Sequence, residues 1–140
     1  MVGQVIFTEK KVLEYAYALI NEFADITRKY KVIEKNMVIK RRINIDDVLD
    51  LLLSIENFLI LLSISIMDAS LQDAIDNTIE KVREMTQELR NNTKISRKQL
   101  VDLIDDVRKY LQQSRIAELV VSLSSPEERV DESLQRKYKL

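Results

Sequence analysis

Between Gly3 and Pro126 the chain has no glycine and no proline. Throughout that interval apolar residues return at alternating four- and three-residue steps. Glycine and proline are the strongest local breaks in secondary structure, and a spacing near 3.6 is the signature of helices that bury one face. The pattern predicts an all-α fold, an up-down four-helix bundle with a short extra C-terminal helix. The domain division expected from it is a bundle over residues 1–124 and a short helix or tail over 125–140.

The first helix is predicted from about Thr8 to between Tyr30 and Lys35, with Val12, Ala16, Leu19, Phe23, Ile26, Tyr30 and Ile33 as its seam. Asn36 to Arg42 reads as a polar, basic loop, with a small hairpin pairing Val32-Ile33 and Val38-Ile39 as the alternative. Asn44 is the predicted N-cap of the second helix, with Asp47 three residues on and Ile43 placed to staple onto Val48.

In the second helix Val48, Leu52, Ile55, Leu59, Leu62, Ile66 and Ala69 form one seam, and Leu53, Ile60, Ile64 and Met67 lie well off it. A surface helix needs an apolar stripe little wider than 100°. This one exceeds that and is expected to be covered on several sides, by its own bundle or by a second copy. A membrane span is the competing reading of the apolar run Leu51–Met67, but Glu56 at its middle is expensive in lipid, so a buried helix is expected.

Ser70 with Asp73 reads as the next N-cap, opening a third helix with Leu71, Ile75, Ile79, Val82, Met85 and Leu89 inward. A break is expected over Asp68-Ala69-Ser70, in preference to one long rod. Asn91-Asn92 ends this helix, asparagine being tolerant of a left-handed cap. Ser96 and Gln99 make a capping box, with Ile95 stapling onto Leu100. The fourth helix carries Leu100, Leu103, Ile104, Val107, Tyr110 and Leu111 inward. Gln112–Arg115 interrupt the phase before Ile116, Leu119, Val120 and Leu123, so a bend or a change of face is expected. Ser125-Pro126-Glu127-Glu128 starts the last short helix, with Val130, Leu134 and Tyr138 on one edge.

The chain has no histidine, cysteine or tryptophan. It therefore offers no imidazole base near neutral pH, no thiol, no glycine-rich phosphate loop and no histidine–carboxylate set for a di-metal bundle. The expectation is a non-enzyme without cofactor or bound metal. With no cysteine and no apolar amino-terminal stretch, the expected location is cytoplasmic.

Charge is segregated although the net is only −1. Arg28, Lys29, Lys31, Lys35, Lys40, Arg41 and Arg42 face Glu34 alone between positions 28 and 42. Arg90, Lys94, Arg97 and Lys98 form a second basic cluster. In an up-down bundle both clusters fall at one pole, where Lys35, Lys40, Arg41, Arg42, Arg90, Lys94, Arg97 and Lys98 are candidates to bind nucleic acid or an acidic partner, with Tyr30 for base stacking. The plainer alternative is that Arg28–Lys31 and Arg90 complement the negative ends of helices. Arg97 and Lys98 resist it, because they open a helix, where cations are disfavoured.

Asp46, Asp47, Asp50, Glu56, Asp68, Asp73, Asp76 and Glu80 have no lysine or arginine among them over positions 43–80. Most read as helix-start acids or a solvated face, with engagement of another protein's basic groove as the alternative. Glu56 projects onto the apolar side, so it needs a cationic partner from a neighbouring helix or subunit.

The functional expectation is an interaction protein, self-associating as a dimer through Leu53, Glu56, Ile60, Ile64 and Met67 and acting as an accessory or regulatory subunit. The alternatives are a nucleic-acid-binding protein and an inhibitor of a nucleic-acid enzyme. The Ile- and Lys-rich, cysteine-free makeup is similar to that of small helical proteins of thermophilic archaea and their viruses, a likeness of composition without a motif.

Overall fold

The structure, a computed structural model, describes residues 9–39, 43–116 and 118, with side chains from Glu14 onward. Among the described residues the chain is a helical bundle of four α-helices with no strand: α1 (Glu9–Ile39), α2 (Ile45–Ser65), α3 (Ala69–Arg90) and α4 (Arg97–Ser114). The calls on Lys40, Arg41 and Arg42, on the Val12 side chain, and on the segment from Leu119 through the predicted last helix lie outside the described residues.

α2 is the packing centre, in contact with α1, α3 and α4. Val48, Leu51, Leu52, Ile55, Phe58, Leu59 and Leu62 are buried on it. They meet Ala16, Leu19, Ile26 and Ile33 of α1, Ile75, Val82 and Met85 of α3, and Leu100, Leu103 and Val107 of α4 in one core. Burying each such leucine or isoleucine contributes about 1.5–3 kcal/mol. The seams predicted for all four helices are therefore the faces that pack.

Side chains bridge neighbouring helices at several points. Ser63 donates to Asp76 at 2.9 Å and Arg83 donates to Glu56 at 3.0 Å, so rising positions on α2 meet falling positions on α3. Between α3 and α4 the Tyr110 hydroxyl lies 2.7 Å from Thr78 Oγ1, and Thr78 donates to the Ala74 carbonyl at 3.0 Å. Between α1 and α4, Arg108 lies over the Phe23 ring at 5.8 Å, and Arg97 pairs with Glu34.

The caps follow the sequence at two of three starts. Asn44 caps α2, its side chain accepting from Asp46 N at 2.9 Å. Ser96 and Gln99 form the reciprocal capping box of α4, at 3.1 and 2.8 Å. At α3 the cap is Asp68, not Ser70: its carboxylate accepts from Leu71 N at 3.1 Å, and Ser70 is already helical. A carboxylate two residues earlier satisfies an orphan N–H and faces the positive end of the helix. The break between α2 and α3 is present but earlier than expected, at Ile66 to Asp68: Ala69 and Ser70 already belong to α3, and Ala69, expected on the α2 seam, is exposed.

A further expectation is corrected. α1 does not stop between Tyr30 and Lys35, and Asn36–Ile39 are helix in place of loop or hairpin. Nothing in that stretch breaks a helix, and Met37, one turn after the buried Ile33, packs against the core. The interruption expected in α4 is present at Arg115, and Ile116 beyond it is helical again. The helix ends at Ser114, Arg115 takes a left-handed φ of 59°, and Ile116 turns back into the core. Asn92 takes the other left-handed position, φ 68°, as expected at the end of α3.

Candidate functional site

The side of α2 that faces away from the core carries an apolar stripe that no other described helix covers. Leu53 is 56% exposed, Ile60 37% and Ile64 68%, and Met67, in the hinge just past the end of α2, is 97% exposed. α1 lies on one flank of the helix, where Lys29 reaches Asp50 at 3.0 Å and donates to Ser54 at 2.7 Å. α3 lies on the other, where Asp76 and Gln72 bond Ser63 and Arg83 bonds Glu56. Both flanks are thus occupied, and among the described residues nothing covers the stripe between them. Coverage by the first and third helices, one of the two ways expected for this face, is not what the fold provides.

Glu56 borders the stripe on the α3 side, and its side chain is only 22% exposed. Its predicted cationic partner is Arg83, from the neighbouring helix α3, which is also 3.4 Å from Glu80. The Glu56 hydrogen bond, above all, holds the Arg83 guanidinium charged by raising its pKa. Beside this pair a groove of about 370 Å³ runs between Leu49 and Leu53 of α2 and Arg83, Thr86 and Arg90 of α3.

Along α3, the edge that borders the stripe carries Gln72, Asp76, Glu80, Arg83, Gln87 and Arg90. These positions were not singled out as a set from the sequence. Their seven-residue and four-residue spacing marks one helix face, which a wheel of α3 shows once its buried seam is known.

The basic residues are brought together at one end by the Glu34–Arg97 pair, which ties the last turns of α1 to the first turn of α4. Lys35, Arg90 and Lys94 are exposed there, and Lys40, Arg41 and Arg42 lie outside the described residues. Arg97 and Lys98, whose position at a helix start called for a reason, have internal partners. Arg97 pairs with Glu34, and Lys98 with Asp102 at 2.9 Å, one turn along. That i,i+4 spacing was available in the sequence. Arg97 first, then Tyr30, holds the Glu34 carboxyl below its ordinary range. Tyr30 donates to Glu34 at 3.1 Å and packs on the core, so its ring is not offered for base stacking.

The helix-end account of the cations holds for Arg90, in the last turn of α3, and fails for Arg28–Lys31. α1 continues to Ile39 with no base in its last turn, and Arg28 and Lys29 pair sideways with Asp25 at 3.0 and 3.5 Å. Five of the eight acids of positions 43–80 are similarly engaged: Asp50 by Lys29, Asp68 as a cap, Asp76 by Ser63, and Glu56 and Glu80 by Arg83, while Asp46 and Asp47 stand in the first turn of α2. Among the described residues, α2 is the helix long and apolar enough, by length and composition, to cross a membrane. Its Val48–Leu62 seam is instead the centre of the core.

Comparison with known proteins finds no matching family model, no matching curated protein and no matching solved structure.

Proposed function

We propose that this chain is a non-catalytic interaction protein that self-associates through the outer face of α2 and serves as an accessory or regulatory subunit, on an up-down four-helix bundle. The observation that carries the reading is α2 itself, buried on one side and apolar on the opposite, solvent-facing side. Contiguous apolar patches of several hundred Å² on a soluble domain are commonly interaction sites. The opposed runs of contacts between α2 and α3 and between α1 and α4 support the up-down arrangement. The lack of histidine and cysteine supports a role without chemistry.

Light scattering at micromolar concentration tests it. The expected result is a dimer or larger assembly that dissociates in Ile64→Lys or Met67→Lys without loss of helix content. A strictly monomeric wild type overturns the reading.

A second reading rests on the Glu34–Arg97 pair, which puts Lys35, Arg90 and Lys94 at the same end of the bundle. These cations form a phosphate-contacting or acid-binding pole. Retention on immobilised DNA or RNA then falls steeply with salt, as expected for about six phosphate contacts. Unchanged retention after alanine replacement of Lys35, Lys40, Arg41 and Lys94 rejects it.

A further inference from the structure

The α2 stripe and the α3 edge beside it are complementary to themselves under one particular rotation. Ile60 sits midway between Leu53 and Met67, seven residues from each. A two-fold axis across α2 at Ile60 lays two copies of the helix antiparallel, puts Ile60 on Ile60, and brings the Met67 of each copy to the level of Leu53 in the other. Met67 is the most exposed apolar side chain of the stripe. The groove of about 370 Å³ between Leu53 and the α3 edge lies at that level. A protruding side chain and a receiving groove thus occur on the same surface at symmetric positions, as an isologous interface requires.

The charges obey the same rotation. On the α3 edge the acids come first, Asp73, Asp76 and Glu80, and the bases last, Arg83 and Arg90. Arg83 stands level with Glu56 and Asp76 level with Ser63, almost equally far on either side of Ile60. The rotation therefore brings Arg83 to the level of the partner's Asp76. Glu80 falls near the axis and keeps its own Arg83 at 3.4 Å. On the opposite flank Asp50 is already neutralised by Lys29 at 3.0 Å. A parallel pairing about a two-fold axis along α2 would turn each α3 edge toward the partner's α1 flank, taking Arg83 away from the partner's Asp76.

We infer that the occupant of the α2 face is a second copy of this chain, bound antiparallel about a two-fold axis at Ile60, with Met67 seated in the groove beside the partner's Leu53 and Arg83 facing the partner's Asp76. This rests on the self-association reading and specifies its geometry.

The chain has no cysteine, so disulfide trapping reads that geometry directly. A disulfide needs Cα atoms within about 7 Å, whereas two Leu53 positions in the antiparallel pair stand about 21 Å apart along the helix at 1.5 Å per residue. Ile60→Cys alone is expected to form a covalent dimer, as is a mixture of Leu53→Cys with Met67→Cys, while Leu53→Cys alone is not. Charge reversal supplies a second readout that leaves the stripe intact. Arg83→Glu weakens self-association on the order of tenfold, and adding Asp76→Arg in the same chain restores it.

A wild-type monomer in light scattering overturns both this inference and the reading beneath it. A wild-type dimer in which Leu53→Cys cross-links to itself, or in which neither Ile60→Cys nor the mixture cross-links, overturns the antiparallel geometry alone, as does charge reversal without effect or without rescue.

Discussion

The Glu56 carboxylate on α2 and the Arg83 guanidinium on α3 meet at 3.0 Å on the border of an apolar stripe, binding two helices together where one of them shows its uncovered side. Glu56 is mostly shielded and Arg83 half exposed. The pair therefore carries only part of the Coulomb gain of a buried bridge, and its net effect on folding is expected below about 1 kcal/mol. Replacing Glu56 with leucine leaves Arg83 free to rotate into solvent or toward Glu80 and joins Leu53 to Ile60 in one unbroken apolar row. Urea denaturation of Glu56→Leu is expected to give a stability within about 1 kcal/mol of wild type, while light scattering shows tighter self-association. A large loss of stability would mean that the pair is essential to the α2–α3 contact.

The start of α3 separates two side chains that sequence alone ranks wrongly. Asp68 accepts from Leu71 N at 3.1 Å, and Ser70 lies within the helix. Asp68→Ala is expected to cost about 1 kcal/mol by leaving a helix-start N–H without its acceptor. Ser70→Ala is expected to fall within about 0.5 kcal/mol of wild type, as surface changes do. Denaturant midpoints of the two variants decide between the caps, and the reverse order would return the cap to Ser70.

These two positions show what was legible in the sequence. The seams of all four helices could be read because a core face needs only spacing, which the sequence displays. The caps at Asn44 and Ser96 were legible because capping is local. The end of α1 was not: Lys35 and Asn36 look like loop, but polarity alone does not break a helix, and the burial of Met37 against the core depends on tertiary packing. The partner of Arg97 was hidden for the same reason, since Glu34 lies 63 positions away. The need of Glu56 for a cation was clear, whereas the choice of Arg83 required knowing which face of α3 turns toward α2. The width of the α2 apolar surface was evident, but not that α1 and α3 would both leave its outer side bare.

At the basic pole the Glu34–Arg97 contact makes a pH prediction with a definite sign. The Arg97 hydrogen bond, followed by that of Tyr30, holds Glu34 below its ordinary value of 4.5 in the folded chain. The unfolded chain therefore binds a proton more readily than the folded one. The resulting stability is present above the ordinary value and is lost as pH falls through the lower, folded value. Glu34→Gln cannot titrate and lacks this contribution at every pH. Thermal melts are expected to show wild type above Glu34→Gln at about pH 6, with the two curves converging as the medium reaches about pH 3. A gap that is constant across this range would show that the carboxylate gains nothing from its charge.

The last turn of α4 stores a backbone cost that one substitution can release. Arg115 holds φ at 59°, where a side chain with a Cβ is crowded by its own backbone, and it is the left-handed residue that ends the helix so that Ile116 can reach the core. Glycine meets no such crowding, and helices commonly close on it. Arg115→Gly gives up the exposed contact with Glu118, a surface pair of small net worth. It is expected to raise stability by about 1 kcal/mol. Asn92, at φ 68°, is the control. Asparagine already tolerates this region better than arginine does, so Asn92→Gly is expected to gain less. Guanidinium unfolding of both variants measures the difference. Destabilisation by Arg115→Gly would show that the side chain, and not the backbone geometry, decides the terminus of α4.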